Sequence, residues 1–226
     1  PFGETRADDA VDPPSSVGFA PGDIARAGAI NQASALAIEQ WRQLSRAKAR
    51  ETGRDIVADH PAVRLDVTLT FDPGRRARYG PLRVSGNQRM DAGFIAYMTD
   101  LPEGQDFDPY DIRDAEDRLG RLGVFSSIRL EEAEEIAPDG SLPITVHVEE
   151  RRLRTIGFGA TYSTLDGLGV SAYAMHRNLF GRAERLRFDL TVARIGETSD
   201  ALDLDYNVAL SFVRPGVITP DTNFGA

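Results

Sequence analysis

Hydrophobic positions change their period along the chain, and each change marks an element. Over residues 79–150 the order reads strand, helix, helix, strand, strand. Leu82 and Val84 share one side of a strand over 80–85, and Gly86-Asn87 turns the chain into a helix holding Phe94, Ile95 and Met98. Asp108-Pro109 is a helix-start pair, because the carboxylate can accept first-turn amides and proline's missing donor costs nothing there. Ile112, Ala115, Leu119 and Leu122 then recur at helical spacing until Gly123 ends the helix. Ile128 and Leu130 lie on one side of a strand over 127–132. Asp139-Gly140 makes a turn, and Ile144, Val146 and Val148 alternate with Thr145, His147 and Glu149. The pattern predicts one core between a three-stranded sheet and two helices, formed by Leu82, Val84, Ile95, Ile112, Leu119, Leu122, Val124, Phe125, Ile128, Leu130, Val146 and Val148.

Ahead of this unit, residues 1–22 are rich in Pro, Gly, Ser and Asp without periodicity and read as a linker or the edge of a truncated unit. Ile30, Ala33, Ala37, Trp41, Leu44 and Ala47 mark one helix face, with Trp41 expected as its main core anchor and Gly53 closing the helix. A short strand at 55–58 precedes a longer one, where Val63, Leu65, Val67, Leu69 and Phe71 alternate with polar residues until Pro73-Gly74. Residues 23–71 thus read helix, helix, strand, strand, the central order without its first strand. A degenerate repeat follows, partial over 23–78 and complete over 79–150. Arrays of such small units usually supply binding surface rather than catalysis.

Residues 151–226 contain strands alone. Ile156, Phe158, Ala160 and Tyr162 alternate with Gly157, Gly159, Thr161 and Ser163, and Leu168, Val170, Ala172 and Ala174 repeat the pattern. Strands over 186–193 and 202–212 continue it. Segments of about 9 to 11 residues, apolar on one side and small or polar on the other, predict the strands of a transmembrane β-barrel, the edge of a soluble sandwich being the alternative. The expected lipid face is Ile156, Phe158, Tyr162, Phe188, Leu190, Leu204, Leu210 and Phe212.

Charge narrows the partners. Of 226 residues with net charge −9, the 79–150 stretch carries 16 acids against 6 bases, and the chain has a single lysine. Nucleic acid is therefore not an expected partner, since phosphate backbones need clustered cations. The absence of cysteine excludes disulfides and thiolate metal sites and is compatible with an oxidising envelope compartment. No stretch reaches the roughly 20 apolar residues of a spanning helix. A start at Pro1 rather than Met suggests a trimmed product.

Chemistry is sparse. His60, His147 and His176 sit in three separate segments, so no metal site is expected. Gly157-Phe158-Gly159 begins like a dinucleotide loop but lies inside an alternating strand with no helix after it, so no cofactor is expected. The acidic run Glu131, Glu132, Glu134 and Glu135 reads as a solvated strand end and hairpin loop. No triad signature is present, no catalytic residue is assigned, and an enzyme is not expected.

Val84-Ser85-Gly86-Asn87, Asp108-Pro109 before a helix, LGRLGVFSSIRL from Leu119, and Val146-His147-Val148-Glu149-Glu150 together resemble a POTRA domain. Ile156-Gly157-Phe158-Gly159-Ala160, Tyr162-Ser163-Thr164 and His176-Arg177-Asn178-Leu179-Phe180-Gly181 followed by Glu184 resemble the barrel start of the BamA and TamA superfamily. The run from Tyr162 to Glu184, with Asp72-Pro73-Gly74 and Ala77-Arg78-Tyr79-Gly80, is more similar to TamA. The resemblance implies an α+β fold of POTRA modules (β-α-α-β-β) followed by antiparallel strands of a truncated transmembrane β-barrel. It implies an outer-membrane assembly factor with periplasmic POTRA domains, unfolded outer-membrane proteins or autotransporters as clients, a TamB-like partner and outer-membrane lipid around it. About four strands are fewer than the roughly 8 at which small barrels close. A BamA-like general assembly factor, a two-partner-secretion transporter and an envelope enzyme with its catalytic domain elsewhere stay open. Clients are expected to add a strand to a sheet edge at Leu82, Arg83 and Val84 or at Ile128, Arg129 and Leu130.

Overall fold

A computed structural model describes residues 12–163, 167–195 and 205–226. The elements are a 3-10 turn at Pro14–Val17, helix α1 (Ala27–Gln43), strands β1 (Arg50–Asp59), β2 (Arg64–Asp72) and β3 (Arg78–Ser85), helices α2 (Ala92–Thr99) and α3 (Pro109–Arg121), and strands β4 (Phe125–Glu132), β5 (Ser141–Glu150), β6 (Arg154–Ser163), β7 (Gly167–His176), β8 (Arg185–Ile195), β9 (Asp205–Arg214) and β10 (Phe224–Gly225). Among the described residues the strands form the sheets β1-β2, β3-β5-β4 and β10-β9-β8-β7-β6. The expected α+β class followed by antiparallel strands is the observed one. Contacts divide the chain into two compact units, one holding the described residues through Leu82 with Leu101–Arg113 and Glu131–Thr145, the other Arg83–Asp100, Asp114–Leu130 and Val146–Ala226.

In the β-α-α-β-β stretch the last strand is central. β5 lies between β3 and β4, and its Leu142, Ile144, Val146 and Val148 are all buried, as expected of a strand whose apolar face supports the sheet. Asp91 caps α2 by accepting the Phe94 amide at 2.6 Å, and Asp108 caps α3 by accepting the Tyr110 amide at 2.9 Å. Gly86 turns with φ +87°, and a Cβ there would stand 2.1 Å from the Val148 carbonyl oxygen, so only glycine fits.

The core differs from the expected set in a consistent way. Ile95, Leu119, Leu122, Val124, Phe125, Val146 and Val148 are buried, whereas Leu82, Val84, Ile112, Ile128 and Leu130 are half-buried. Four of these five sit on β3 and β4, the outer strands, which among the described residues have a strand neighbour on one side only. Tyr79 and Phe107, absent from the expected core, are buried with ring centroids 5.8 Å apart. The Tyr79 hydroxyl donates to the Asp108 carbonyl at 2.7 Å, and burial pushes its pKa up.

Five expectations for residues 23–71 are corrected. One α-helix, not two, lies there among the described residues. That helix ends at Gln43 rather than near Gly53, because Ser45 takes a left-handed φ of 63° and its carbonyl accepts the Ala77 amide at 2.7 Å. Trp41 is half-buried, its ring 5.6 Å from the Arg46 guanidinium; the buried helix face is made by Ala29, Ile30, Ala33 and Ser34, whose mostly small side chains allow close approach. β1 runs over ten residues rather than 55–58, since β2 offers a partner along its whole length. Val63 is not the first inward residue of β2 but a 93% exposed turn residue with φ +50°.

Candidate functional site

The first candidate surface is the edge of the three-stranded sheet. The sequence expectation put client binding at Leu82, Arg83 and Val84 and at Ile128, Arg129 and Leu130, and the structure places them on the two outer strands, β3 and β4. The two edges are not equivalent. On β4 the Leu130 amide donates to Glu116 Oε1 at 3.0 Å, so a helix side chain already holds one edge donor. On β3 the start is covered, with Tyr79 N donating to Gln105 O at 2.8 Å and Gly104 N donating to Tyr79 O at 2.7 Å. Among the described residues, 82–85 have no further strand beside them. Exposed strand edges of this kind are ready templates for strand addition.

The second surface is the antiparallel sheet. β6, β7, β8 and β9 are 10, 10, 11 and 10 residues long, the length that crosses a hydrocarbon layer when tilted. Register lines up one apolar row of Ile156, Ala174, Phe188 and Leu210 and a second of Phe158, Ala172, Leu190 and Val208. Ile156 is 67% and Phe158 84% exposed, Tyr162 and Leu210 are exposed as well, and Leu190 and Phe212 are half-buried. Leu204 lies outside the described residues. The opposite face aligns Gly157, Tyr173, Asp189 and Ala209, then Gly159, Ser171, Thr191 and Asn207. Gly157 is structural rather than a phosphate loop: a Cβ on it would lie 2.2 Å from Tyr173 Cε1. That ring also carries the Arg187 guanidinium at 4.2 Å from its centroid, and Arg187 is paired with Asp189 at 2.7 Å.

Between these surfaces the second unit carries an organised set of polar contacts. Glu150 Oε1 accepts the amides of Gln88, Arg89 and Met90 at 2.7, 2.8 and 2.8 Å. Burial pushes its pKa up, but the three amides outweigh this and hold it below the ordinary carboxylate value. Asn178 and Glu184 are buried inside the β7–β8 turn. Asn178 Oδ1 accepts the Ala183 amide at 3.1 Å and its Nδ2 donates to the Arg89 carbonyl at 3.2 Å. Glu184 Oε2 accepts the amides of Phe180 and Arg182 at 3.1 and 3.0 Å. The turn is joined to the loop before α2 by Asp91 N donating to Gly181 O at 2.8 Å. After β9, Asp221 Oδ1 accepts from Arg118 Nε at 3.2 Å and Arg121 Nη2 at 3.0 Å.

Sequence reasoning did not assign roles to Glu150, Asn178, Glu184 or Asp221. The Asn178 to Glu184 run was visible as a motif, but its contacts to Arg89 and Asp91 lie far away in sequence. Glu132 departs from the expected solvated acidic run: it accepts from Arg42 at 2.5 Å and Lys48 at 3.1 Å. Among the described residues, no group of three His, Cys, Asp or Glu side chains is placed to hold a metal, and no helix is long and apolar enough to cross a membrane, which says nothing of strands.

No protein-family model matches the chain. It is 28% identical over 134 residues to the outer membrane protein assembly factor BamA of Neorickettsia risticii, a match covering 59% of this chain and 18% of that protein. The chain thus spans under a fifth of this curated relative. The fold is similar to the crystal structure of Haemophilus ducreyi BamA lacking POTRA domains 1–3, with a TM-score of 0.74 and 20% identity over 92% of this chain and 37% of that one. It is also similar to CdiB from Escherichia coli, with a TM-score of 0.53 and 13% identity over 84% of this chain and 34% of that one. The fold is that of a POTRA module leading into the start of a barrel.

Proposed function

We propose that this chain, with the POTRA-plus-barrel-start architecture of the BamA/Omp85 superfamily, recruits unfolded outer-membrane proteins, autotransporters included, and helps insert them into the outer membrane. The POTRA module lies in the periplasm, and β6 to β9 belong to a barrel whose apolar rows face lipid. The role is non-catalytic, because capture by strand addition uses backbone hydrogen bonds and asks little of client sequence. The observation that carries this reading is the open edge at residues 82–85 of β3 in a chain that continues into a meander with one apolar, exposed face.

Within the superfamily the reading is TamA-like, acting with a TamB-like partner, and it rests on the run from Tyr162 to Glu184. The identity with a BamA favours a BamA-like general assembly factor as the second reading. Photo-crosslinkers at Leu82 or Arg83 of the complete protein should trap an extended segment of a nascent barrel protein. Capture only through helix-surface positions such as Asp114 or Asp117 would refute strand addition. Recovery of a TamB-like protein after crosslinking in the envelope supports the TamA-like role; its absence alongside client capture points to the BamA-like one.

A further inference from the structure

A cleft of about 870 Å³ opens beside the first residues of β6 and the last of β7, lined among others by Arg89, Arg152, Arg154, His176, Leu179 and Phe180. Its volume falls within the roughly 300–1,000 Å³ of small-molecule sites. The lining combines two chemistries. Arg89, Arg152 and Arg154 present three exposed side chains; Arg152 and Arg154 make no ion-pair contact among the described residues, and the charge of Arg89 acts on Glu150. Beside them stands His176, whose Nδ1 has no hydrogen-bond partner and is closed to solvent. Phe180, on the adjoining turn, is 75% exposed.

Register fixes where this cleft stands relative to the apolar rows. Arg154 pairs with His176 across β6 and β7, and Ile156 pairs with Ala174 two residues further along the same face. Two residues of strand rise about 7 Å. The guanidinium cluster therefore borders the exposed band of Ile156 and Phe158 on its own face, with the Asn178 bond to the Arg89 carbonyl holding the loop that carries Arg89.

We propose that this cleft binds the phosphate of a membrane phospholipid headgroup, with the acyl chains lying along Ile156 and Phe158. Arginine forks match phosphate oxygens bidentately. Basic pockets at a membrane boundary are a recurrent headgroup site. Free phosphate would gain nothing from the adjoining apolar rows, which is why the lipid is the assigned source. The assignment rests on the barrel reading, since a soluble sheet would meet no lipid.

Lipid retention by the full-length protein in detergent, measured by native mass spectrometry, tests it. The probes are dioleoylphosphatidylglycerol, dioleoylglycerol and inorganic phosphate. The wild type should retain phosphatidylglycerol, and the triple variant R89Q/R152Q/R154Q should hold it about tenfold more weakly or worse, as loss of charge-assisted bonds implies. The corresponding triple Lys variant should keep most of the binding, and R64Q, a charge removed from β2, should keep all of it. Equal retention by the wild type and the triple Gln variant overturns the site, as does an equal loss in R64Q. Dioleoylglycerol retained as well as phosphatidylglycerol, or inorganic phosphate bound as tightly, overturns the headgroup assignment using the wild type alone. Heat-modifiable migration of each variant reports barrel folding separately. Folded variants with unchanged lipid retention sink only the cleft proposal, whereas a wild type that never inserts into vesicles sinks the barrel reading beneath it.

Discussion

Replacing Gly157 with Ala probes the inner face of the β6–β7 pair at its tightest point. The added Cβ would meet Tyr173 at 2.2, 2.6 and 2.9 Å, from Cε1, Cζ and the hydroxyl oxygen. The ring cannot give way freely, because the Arg187 guanidinium stands 4.2 Å from its centroid and Arg187 is tied to Asp189. Overpacking of this sort costs about 1–3 kcal/mol. In a Tyr173→Ala background the obstruction is gone. The same G157A change should then be neutral or stabilising by about 0.5 kcal/mol, since alanine loses less backbone entropy than glycine in a strand. The two changes should therefore couple by about 1–3.5 kcal/mol, outside the roughly 0.3–0.5 kcal/mol scatter of independent sites. The assay is urea-dependent folding of the complete protein in phospholipid vesicles, followed by heat-modifiable migration, for the wild type, both single variants and the double variant. Additive effects, or a G157A protein as stable as the wild type, would show that Tyr173 does not lie across Gly157 and would refute the register drawn for this pair.

Phe125→Ala should lower stability by about 3–5 kcal/mol, because the ring is buried directly after α3; an unchanged denaturant midpoint would remove that packing. Glu150→Gln should cost about 1 kcal/mol at neutral pH, a charge-assisted acceptor being replaced by a neutral one. The folded pKa of Glu150 is depressed, so its contribution is fully present above the unfolded value of about 4.3 and is lost as pH falls through the folded value. The urea midpoints of wild type and E150Q should converge as pH falls below the ordinary carboxylate range, and a constant gap down the whole titration would contradict the three-amide contact. Arg introduced at Leu190 or Val208 should hinder membrane insertion by about 2–4 kcal/mol if those sites lie near the bilayer midplane, and Arg at Thr191 or Ala209 should hinder it less. Equal folding of all four variants into vesicles would show that the two faces are not lipid and lumen.

Local pattern was enough for what depends on near neighbours in sequence. Strict alternation located β2 and β5 to β8, since a strand's two faces repeat every second residue, and Asp108-Pro109 marked α3, since a cap acts within one turn. Gly86 was visible as a turn, yet only the approach of the Val148 carbonyl shows why no side chain fits there. Where burial comes from sheet order, the sequence was silent: Val84 and Val146 alternate equally well, but β5 is central and β3 is an edge, so one is half-buried and the other buried. The polar anchors escaped for the same reason. Glu150 finds its three amides about 60 residues away, and Asn178 reaches Arg89 across 89 residues. His176 stood alone in the sequence, and pairing of β6 with β7 set it beside Arg154. A one-dimensional pattern specifies which face a side chain takes; which side chain waits on that face is decided by strand pairing and loop closure, which join residues the pattern cannot relate.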